Sequence, residues 1–404
     1  MARRREPPKP VLKGLQLWHF KSFQDSKLLP LSKLTLIFGR NNSGKSTLLQ
    51  SLLLLRQTIE SAEYGPRLNP RGPLYAAGTF RDLVHNHSGD NFRWVFDLDM
   101  SELVNPRFSN ANLEVEFVRD DHLARIARLR VTLDDMPTVE IKRGPGMGGP
   151  YELHIDGARL GNESRANFWF SPSRFFPLIG SEPKRVGAPN KRRILARQDT
   201  GLLLDSFEDF IVRLRAVGAF RHQPERRYEY LGRVPDALAG TGQRAIDALI
   251  KDSVRNRSKD KGRLLAEVNT WLNRIGHARI MPIKPIAPRL FEVLLRDTDA
   301  KRWANYADVG FGIGQALPVL VEGLLTPIGG LFIVQEPEIH LHPDAQLAMA
   351  DFLIELAKSG RQVIVETHSE NILLRVRRRI AEAKPRGLTS ADVSFLVVEK
   401  QRER

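Results

Sequence analysis

One eight-residue segment has the residue types and spacing of a phosphate-binding loop. It reads Gly39-Arg40-Asn41-Asn42-Ser43-Gly44-Lys45-Ser46 and fits the pattern G-x-x-x-x-G-K-[ST]. Glycines let such a loop curl so that backbone N–H groups face phosphate oxygens. Lys45 adds a mobile cation for the β- and γ-phosphates, and the Ser46 hydroxyl is a ligand for Mg²⁺. The apolar strand predicted before the loop and the helix predicted from Thr47 favour a site for ATP and Mg²⁺ over a chance match.

A second candidate site follows the apolar run Leu331–Val334, which predicts a short buried strand. Glu336, just after that run, is placed to polarise a water molecule as a general base. Gln335 occupies the position where phosphate-loop ATPases usually carry the aspartate that contacts Mg²⁺. An amide oxygen still offers the metal a ligand but brings no charge, so we expect a weaker metal site and slow turnover. The alternative is an ordinary junction between a strand and a loop.

Two groups of histidines carry further candidate chemistry. His368 follows the predicted strand 363–365 and could donate a hydrogen bond to the γ-phosphate; the alternative is a histidine satisfied in the core. His340 and His342 lie two residues apart in the loop after Glu336, a spacing that could bind zinc. The favoured interpretation of that loop is instead that it shapes the nucleotide site and a dimer contact.

A glycine-rich segment precedes a predicted helix over 315–325. Gly310, Gly312 and Gly314 alternate with other residues and lead into Gln315. Glycines at a helix N-terminus leave backbone N–H groups available as a cradle for an anion, although a plain glycine turn is the simpler alternative. The order of the segment, between the phosphate loop and the acidic strand end, favours the functional interpretation.

The candidate residues lie at the ends of elements that alternate between strand and helix. Strands are predicted at 11–20, 34–38, 290–296, 331–334, 363–365 and 395–398, and helices at 47–61, 203–218, 242–251, 262–275, 315–325, 344–359 and 370–382. Apolar and polar residues alternate with a period of two between about 90 and 156, which predicts antiparallel strands with one solvent-exposed face. Residues 180–198 are polar and basic, which predicts an exposed or mobile segment.

This arrangement predicts one α/β domain that is split by a long insertion. Residues 1–90 and 290–404 would form the nucleotide-binding domain. Residues 91–289 would form the insertion, β-rich over 91–156 and mainly helical over 199–276.

The amino-acid composition of the chain excludes some classes of function and favours others. The 404 residues, 42% of them hydrophobic, suffice for one large domain or two smaller ones. The absence of cysteine excludes disulfides and thiolate metal sites and predicts a cytoplasmic protein. Leu48–Leu55 is too short to span a bilayer, and residues 1–10 do not form a signal peptide, so no membrane association is expected. A net charge of +15, with arginine outnumbering lysine, favours nucleic acid as a partner over merely solvated basic faces.

Taken in the order in which they occur along the chain, the candidate segments resemble those of the ABC ATPases of the RecF/SMC/OLD branch. Within it, the chain is most similar to stand-alone bacterial AAA-type ATPases related to the OLD (overcoming lysogenization defect) family. The residues that carry the resemblance are Gly39–Ser46, Asp308–Pro318, Val334–Pro343 and Glu366–Ser369, with Arg221–Tyr228 and Gly78–Leu83 in support. The resemblance implies an α/β fold: a P-loop ABC-type ATPase head with a mixed sheet, interrupted by a β-rich and then helical insertion.

The resemblance also implies how the site is completed. ATP would lie between two subunits, with Gly310, Gly312 and Gln315 of one subunit facing the γ-phosphate held by Lys45 of the other. A homodimer or higher oligomer and a separate effector protein are the implied partners. The chain departs from the family pattern in two places. In the glycine-rich segment Gly310–Gln315, which corresponds to the signature segment of the family, glycine stands where many relatives carry serine. Gln335 replaces an acidic residue. Relatives with nuclease activity carry a Toprim domain after the ATPase, and this chain is expected to lack one.

Three functions follow as hypotheses. The first is a dimeric ATP-driven switch in prokaryotic defence against phage or other foreign DNA, acting with a separate effector. The second is a RecF-like ATPase of DNA repair or recombination. The third is a scaffold whose ATP state controls a protein partner without nucleic acid. A transporter subunit fits least, because the insertion is large and the signature segment divergent.

Overall fold

A computed structural model describes most of the chain and divides it into two compact units. The described residues are 9, 11–61, 65–101, 106–144, 150–159, 168–170, 174–179, 191–232, 240–242, 244–298, 302–382 and 387–399. Among them, the first unit comprises 33–39 and 214–397, and the second comprises 9–32, 40–213 and 398–399. The predicted division into 1–90 with 290–404 against 91–289 stays a prediction.

The strands are β1 (Leu12–Phe20), β2 (Phe23–Asp25), β3 (Leu29–Pro30), β4 (Leu34–Gly39), β5 (Asn91–Leu98), β6 (Ala111–Asp120), β7 (Leu123–Leu133), β8 (Val139–Arg143), β9 (Tyr151–Ile155), β10 (Ala158–Arg159), β11 (Phe168–Trp169), β12 (Leu178–Ile179), β13 (Arg215–Val217), β14 (Tyr228–Glu229), β15 (Ala278–Ile280), β16 (Lys284–Ala287), β17 (Leu290–Glu292), β18 (Leu294–Asp297), β19 (Trp303–Asn305), β20 (Leu331–Gln335), β21 (Gln362–Glu366) and β22 (Val393–Val398). The α-helices are α1 (Lys45–Glu60), α2 (Phe80–Leu83), α3 (Lys191–Val212), α4 (Ala245–Ile250), α5 (Arg263–Gly276), α6 (Phe311–Leu325), α7 (Pro343–Lys358) and α8 (Glu370–Ala381). A π-helical turn at Lys251–Arg255 extends α4.

The first unit is built on a five-stranded sheet in the order β13-β20-β21-β4-β22. Neighbours from β13 to β4 pair in parallel. The four apolar residues of β20 are almost completely buried, as expected of a central strand covered on both faces. Because parallel strands run in one direction, the carboxyl ends of β20, β21 and β4 meet at one edge of the sheet. The residues that end these strands, Gln335, Glu366 and Gly39, therefore lie along that edge.

The second unit is built on a nine-stranded sheet in the order β10-β9-β8-β7-β6-β5-β1-β2, with β3 paired to β1. Every pairing in it is antiparallel, and burial alternates along β5, which confirms the predicted strands with one wet face. Phe92 and Trp94 point into the core. On the other face, Arg93 donates a hydrogen bond to Glu114 at 3.2 Å, so the polar face is tied together by cross-strand ion pairs.

Two sequence predictions about the middle of the chain are wrong. The predicted helix 203–218 is in fact the end of α3 followed by β13, because Arg215–Val217 adds in parallel to β20. Three residues are too few for a periodic signal, and pairing with a distant strand decides their conformation. Residues 191–198, predicted to be exposed or mobile, belong to α3, where Arg197 is buried. Residues 180–190 of that prediction lie outside the described part.

The helices that flank the strand edge are held by a buried carboxylate. Asp351 of α7 accepts hydrogen bonds from Arg375 and Arg379 of α8 and pairs with Arg274 of α5. Burial alone would raise the pKa of the Asp351 carboxyl, but the hydrogen bonds and charges of Arg379 and Arg375 outweigh it and lower this pKa to about 2. The start of α8, which directly follows His368 and Ser369, is thereby fixed against α7.

Within the described ranges, none of the helices has the length and apolar character needed to cross a lipid bilayer.

Candidate nucleotide site

The predicted phosphate loop has the strand–loop–helix context that its motif requires. Strand β4 ends at Gly39, the first residue of the motif, and α1 begins at Lys45. Gly44 has a φ of 105° and Asn42 a φ of 61°, both in the left-handed region. A Cβ on Gly44 would lie 2.9 Å from the Cβ of Ser22, so both conformation and space require glycine there.

Two side-chain contacts lie at this loop and the start of α1. Lys45 is buried, and its Nζ donates a hydrogen bond to the backbone oxygen of Arg40 at 2.9 Å. The hydroxyls of Ser22 and Thr47 lie 3.2 Å apart. Because α1 starts at Lys45, the positive end of its dipole lies at the loop. Residues 40–47 belong to the second unit, whereas Gly39, Glu336 and His368 belong to the first. The roles of Gly39–Thr47 in holding ATP stay a prediction.

Glu336 is held by its backbone in an unusual conformation. It follows the last residue of β20 and has a φ of 45°, in the left-handed region that is costly for a residue with a side chain. Its N–H donates to the backbone oxygen of Glu366 at 2.7 Å. Its own backbone oxygen accepts a hydrogen bond from Arg221 at 2.8 Å. Such a conformation persists where the surroundings over-determine it, and it sets the direction in which the Glu336 side chain leaves the backbone.

Arg221 connects three segments of the first unit through backbone oxygens. Its guanidinium donates to the oxygens of Gln335 at 2.6 Å and Glu336 at 2.8 Å, and to that of Gln315 in α6 at 3.3 Å. Burial lowers the pKa of Arg221 to about 10, although the charges of Glu338 and Glu336 oppose this shift. From the sequence alone, Arg221 is only one residue of the segment Arg221–Tyr228 that supports the family resemblance. Its role depends on contacts with distant residues that no local pattern reveals.

The structure brings together the two predicted catalytic residues of the first unit. Nε2 of His368 lies 3.2 Å from Oε1 of Glu336. His368 is 42% exposed, so the alternative of a core histidine is wrong. Its position is set by Glu338, whose Oε1 accepts from the His368 N–H at 2.8 Å and from the Thr367 hydroxyl at 2.6 Å. Imidazole and carboxylate thus face each other at the strand edge.

A carboxylate to which the sequence alone assigns no individual role, that of Glu366, lies beside Gln335. Nε2 of Gln335 donates to Oε2 of Glu366 at 2.6 Å, because the register of β20 and β21 places these two residues side by side. The only sequence signal for Glu366 is an acidic residue that closes an apolar strand just before Thr367 and His368.

The glycine segment forms the start of α6 rather than a turn before it. The prediction that this helix starts at 315 is therefore wrong, because α6 begins at Phe311. Gly310 is the N-cap of α6, and Gly312, Gly314 and the buried Gln315 lie inside the helix. A Cβ on Gly312 would lie 2.7 Å from the backbone oxygen of His340, and a Cβ on Gly314 would lie 2.9 Å from Cγ of Pro224. The two glycines therefore allow α6 to pack closely against neighbouring loops. An anion cradle would be limited to N–H groups of the first helical turn.

The histidine loop is built around the start of α7. His342 is the N-cap of α7, and its Nδ1 lies 3.4 Å from the backbone nitrogen of Asp344. His340 has a φ of 60°, and its ring centroid lies 5.7 Å from that of Phe311. Among the residues that the structure describes, no three His, Cys, Asp or Glu side chains are grouped to hold a metal ion. The placement favours the interpretation of a shaping loop over a zinc site.

Parts of the chain are similar to known protein families and to known proteins. The model described as "AAA ATPase domain" matches residues 249–373, and the one described as "AAA domain" matches residues 15–56. An OLD nuclease of Thermus scotoductus is 22% identical over 368 residues, which are 89% of this chain and 59% of that protein. Residues 249–373 are thus similar to an AAA ATPase domain, and most of the chain is distantly similar to an OLD nuclease. It spans about three fifths of the length of the Thermus relative.

Two further matches are more limited. The Old nuclease of Escherichia phage P2 is 44% identical to this chain over 43 residues, which are 11% of the chain and 7% of the relative. The structure titled "SMC head domain from Thermotoga maritima" covers 90% of the chain and 92% of its own, with 14% identity and a TM-score of 0.40. The mixed α/β class of the fold agrees with the prediction from sequence.

Proposed function

We propose that the chain binds Mg·ATP through Gly39–Thr47 and hydrolyses it with Glu336 as the general base. The observation that carries the proposal is the pair of Glu336 and His368, 3.2 Å apart and set at the carboxyl edge of the sheet where β4 ends in Gly39. A carboxylate so placed can accept a proton from an attacking water. The neighbouring imidazole can donate a hydrogen bond to the γ-phosphate and lose it once that phosphate leaves.

We further propose that the chain acts as a homodimer that closes on ATP. The support is the exposed start of α6: Phe311, directly after Gly310, is 62% exposed, and Trp303 is also exposed. Large aromatic residues on a surface are typical of contact regions. In a closed dimer, Gly310 and the first turn of α6 with Gly312 would meet the nucleotide held by the other subunit, as the resemblance implies. Gln315, which the resemblance also places there, is buried beyond that turn.

The dimer proposal is tested by molar mass in light scattering. With Mg²⁺ and a non-hydrolysable ATP analogue, the mass of the wild-type chain is expected to double, and it is expected to return to that of one chain with ADP. Phe311→Asp is expected to prevent this doubling, because burying a charge at a contact from which water is excluded costs free energy. Its affinity for the nucleotide is expected to be unchanged. Ile328→Asp is the matched control, since Ile328 is equally exposed, at 61%, near the other end of α6. Equal masses with and without nucleotide would contradict the proposal.

At the level of biology, we propose a switch in prokaryotic defence against foreign DNA that acts with a separate effector. The support is the relation to OLD nucleases together with the net charge of +15, which suits an anionic partner. The chain, affinity-purified from its natural host in low salt, is expected to retain a second protein or nucleic acid. A preparation that contains neither would rule this role out. Binding to DNA junctions without a protein partner would favour the RecF-like alternative.

A further inference from the structure

A buried arginine joins the start of α6 to the backbone of the proposed general base. Arg221 is 8% exposed. Its guanidinium donates to the backbone oxygens of Gln335 at 2.6 Å, Glu336 at 2.8 Å and Gln315 at 3.3 Å. Its Nε donates to the oxygen of Gly218, just after β13, at 3.2 Å. Because a guanidinium offers its N–H donors in a fixed planar fork, Arg221 holds these three segments of the first unit in one mutual arrangement.

The start of α6 is held by donors from outside the helix. Pro318 lies inside α6 and has no N–H, so it cannot supply the usual helical hydrogen bond to the backbone oxygen of Gly314. The hydroxyl of the buried Tyr306 donates to that oxygen at 3.0 Å. The next oxygen along the helix, that of Gln315, accepts from Arg221. The position of the first turns of α6 therefore depends on these two contacts as well as on the helix itself.

The segment that carries Arg221 also packs along the start of α6. A Cβ on Gly314 would lie 2.9 Å from Cγ of Pro224, so the two segments are in close contact. Arg226 donates to both carboxylate oxygens of Asp308, shortly before α6, at 2.9 and 2.6 Å. A displacement of the start of α6 would therefore act on this segment through Arg226, through Pro224 and through Arg221 itself.

The backbone of Glu336 is a sensitive end point for such a displacement. Its φ of 45° is costly for a residue with a side chain and persists only where neighbouring groups hold it. Within the sheet, its N–H donates to the oxygen of Glu366 at 2.7 Å. Its own oxygen accepts from Arg221, and this second contact also reaches α6.

Resting on the proposed function, we propose that Arg221 couples the meeting of two subunits at the start of α6 to the position of Glu336. In the closed dimer the second subunit contacts the first turn of α6. Arg221 transmits the resulting displacement to the backbone of Gln335 and Glu336. Arg221 is thus a positioning residue that acts through Glu336, and hydrolysis becomes dependent on the second subunit.

The proposal is tested by the single-turnover rate of ATP hydrolysis in Arg221→Met, with the affinity for Mg·ATP measured in parallel. Methionine fills part of the same space but donates no hydrogen bond. The rate is therefore expected to fall by about tenfold or more, as for a misplaced catalytic group. The affinity is expected to change by less than about twofold, because Arg221 acts on the hydrolysis step. Arg221→Lys, which keeps the charge and a donor group, is expected to recover part of the rate. Arg227→Met is the control, since Arg227 is an exposed arginine of the same segment.

Two backgrounds distinguish this coupling from a general loss of structure. In Glu336→Gln, which leaves no general base to position, adding Arg221→Met is expected to change the rate by less than about twofold. In Phe311→Asp, which does not receive the second subunit, the further change is expected to be equally small. The full loss in either background would overturn the proposal, because Arg221 would then act without Glu336 or without the second subunit.

The remaining outcomes separate this proposal from the proposed function. A wild-type rate in Arg221→Met would overturn the coupling alone, provided that the wild-type chain binds and hydrolyses ATP. Thermal unfolding checks that each variant is folded. If Arg221→Met does not fold, Arg221→Lys replaces it in both backgrounds, and a wild-type rate in that variant would likewise overturn the coupling. Absence of any nucleotide binding by the wild-type chain would instead refute the proposed function itself.

Discussion

Replacing Lys45 by alanine is expected to weaken the binding of Mg·ATP by about a hundredfold or more. The Nζ of Lys45 is buried against its own loop and donates to the backbone oxygen of Arg40 at 2.9 Å, so the cation is already close to the backbone that would surround the phosphates. A hydrogen bond to a charged group contributes about 1.5–3 kcal/mol, and each 1.4 kcal/mol is about a factor of ten in affinity. Losing the contacts to two phosphate groups accounts for the expected size.

The measurement is titration calorimetry of Lys45→Ala with ATP and Mg²⁺. Lys251→Ala is the matched control, because Lys251 is an exposed lysine on the π-helical turn and lies outside the motif. Thermal unfolding without nucleotide must show that Lys45→Ala is folded, since a buried side chain is removed. Wild-type affinity in folded Lys45→Ala would mean that the loop does not hold the triphosphate, and the proposed function would fail with it.

The elements that hold the candidate site could be predicted because their signals are local. The continuous apolar runs before Gly39 and Gln335 gave two parallel strands, and the motif itself required a helix after the loop. Burial on both faces makes such strands apolar throughout, so their ends stand out wherever polar residues begin. Glu336 and His368 were predicted as candidate site residues in this way, and each lies just beyond the end of a strand.

What could not be predicted depends on which distant segments meet. Arg221 is 114 residues away from Gln335 in the chain, and Glu366 is 31 residues away from it. Both contacts follow from the order of the strands and from their register, which one sequence does not specify. The start of α6 was misplaced for a related reason. Glycines usually interrupt helices, but here close packing against His340 and Pro224 requires them inside one.

The second large effect is expected from Glu336→Gln, which should lower the rate of ATP hydrolysis by about a hundredfold or more, the usual contribution of a general base. The amide cannot accept the proton of the attacking water. It keeps the shape of the side chain and can still accept a hydrogen bond from His368. Affinity for Mg·ATP is therefore expected to change by less than about twofold, as for a group that acts only in the transition state. Single-turnover hydrolysis and nucleotide titration separate the two quantities.

Because binding persists while hydrolysis is slowed, Glu336→Gln is also expected to accumulate the closed dimer with ATP itself, without a non-hydrolysable analogue. Asp344→Asn is the control, since Asp344 is an exposed carboxylate in the first turn of α7, on the same loop. Its turnover is expected to match that of the wild type. Equal turnover in the wild type and Glu336→Gln would remove Glu336 from the catalytic role. The strained backbone at this position would then have to serve the packing of the loop alone, because Arg221 and Glu366 hold its main chain whatever the side chain does.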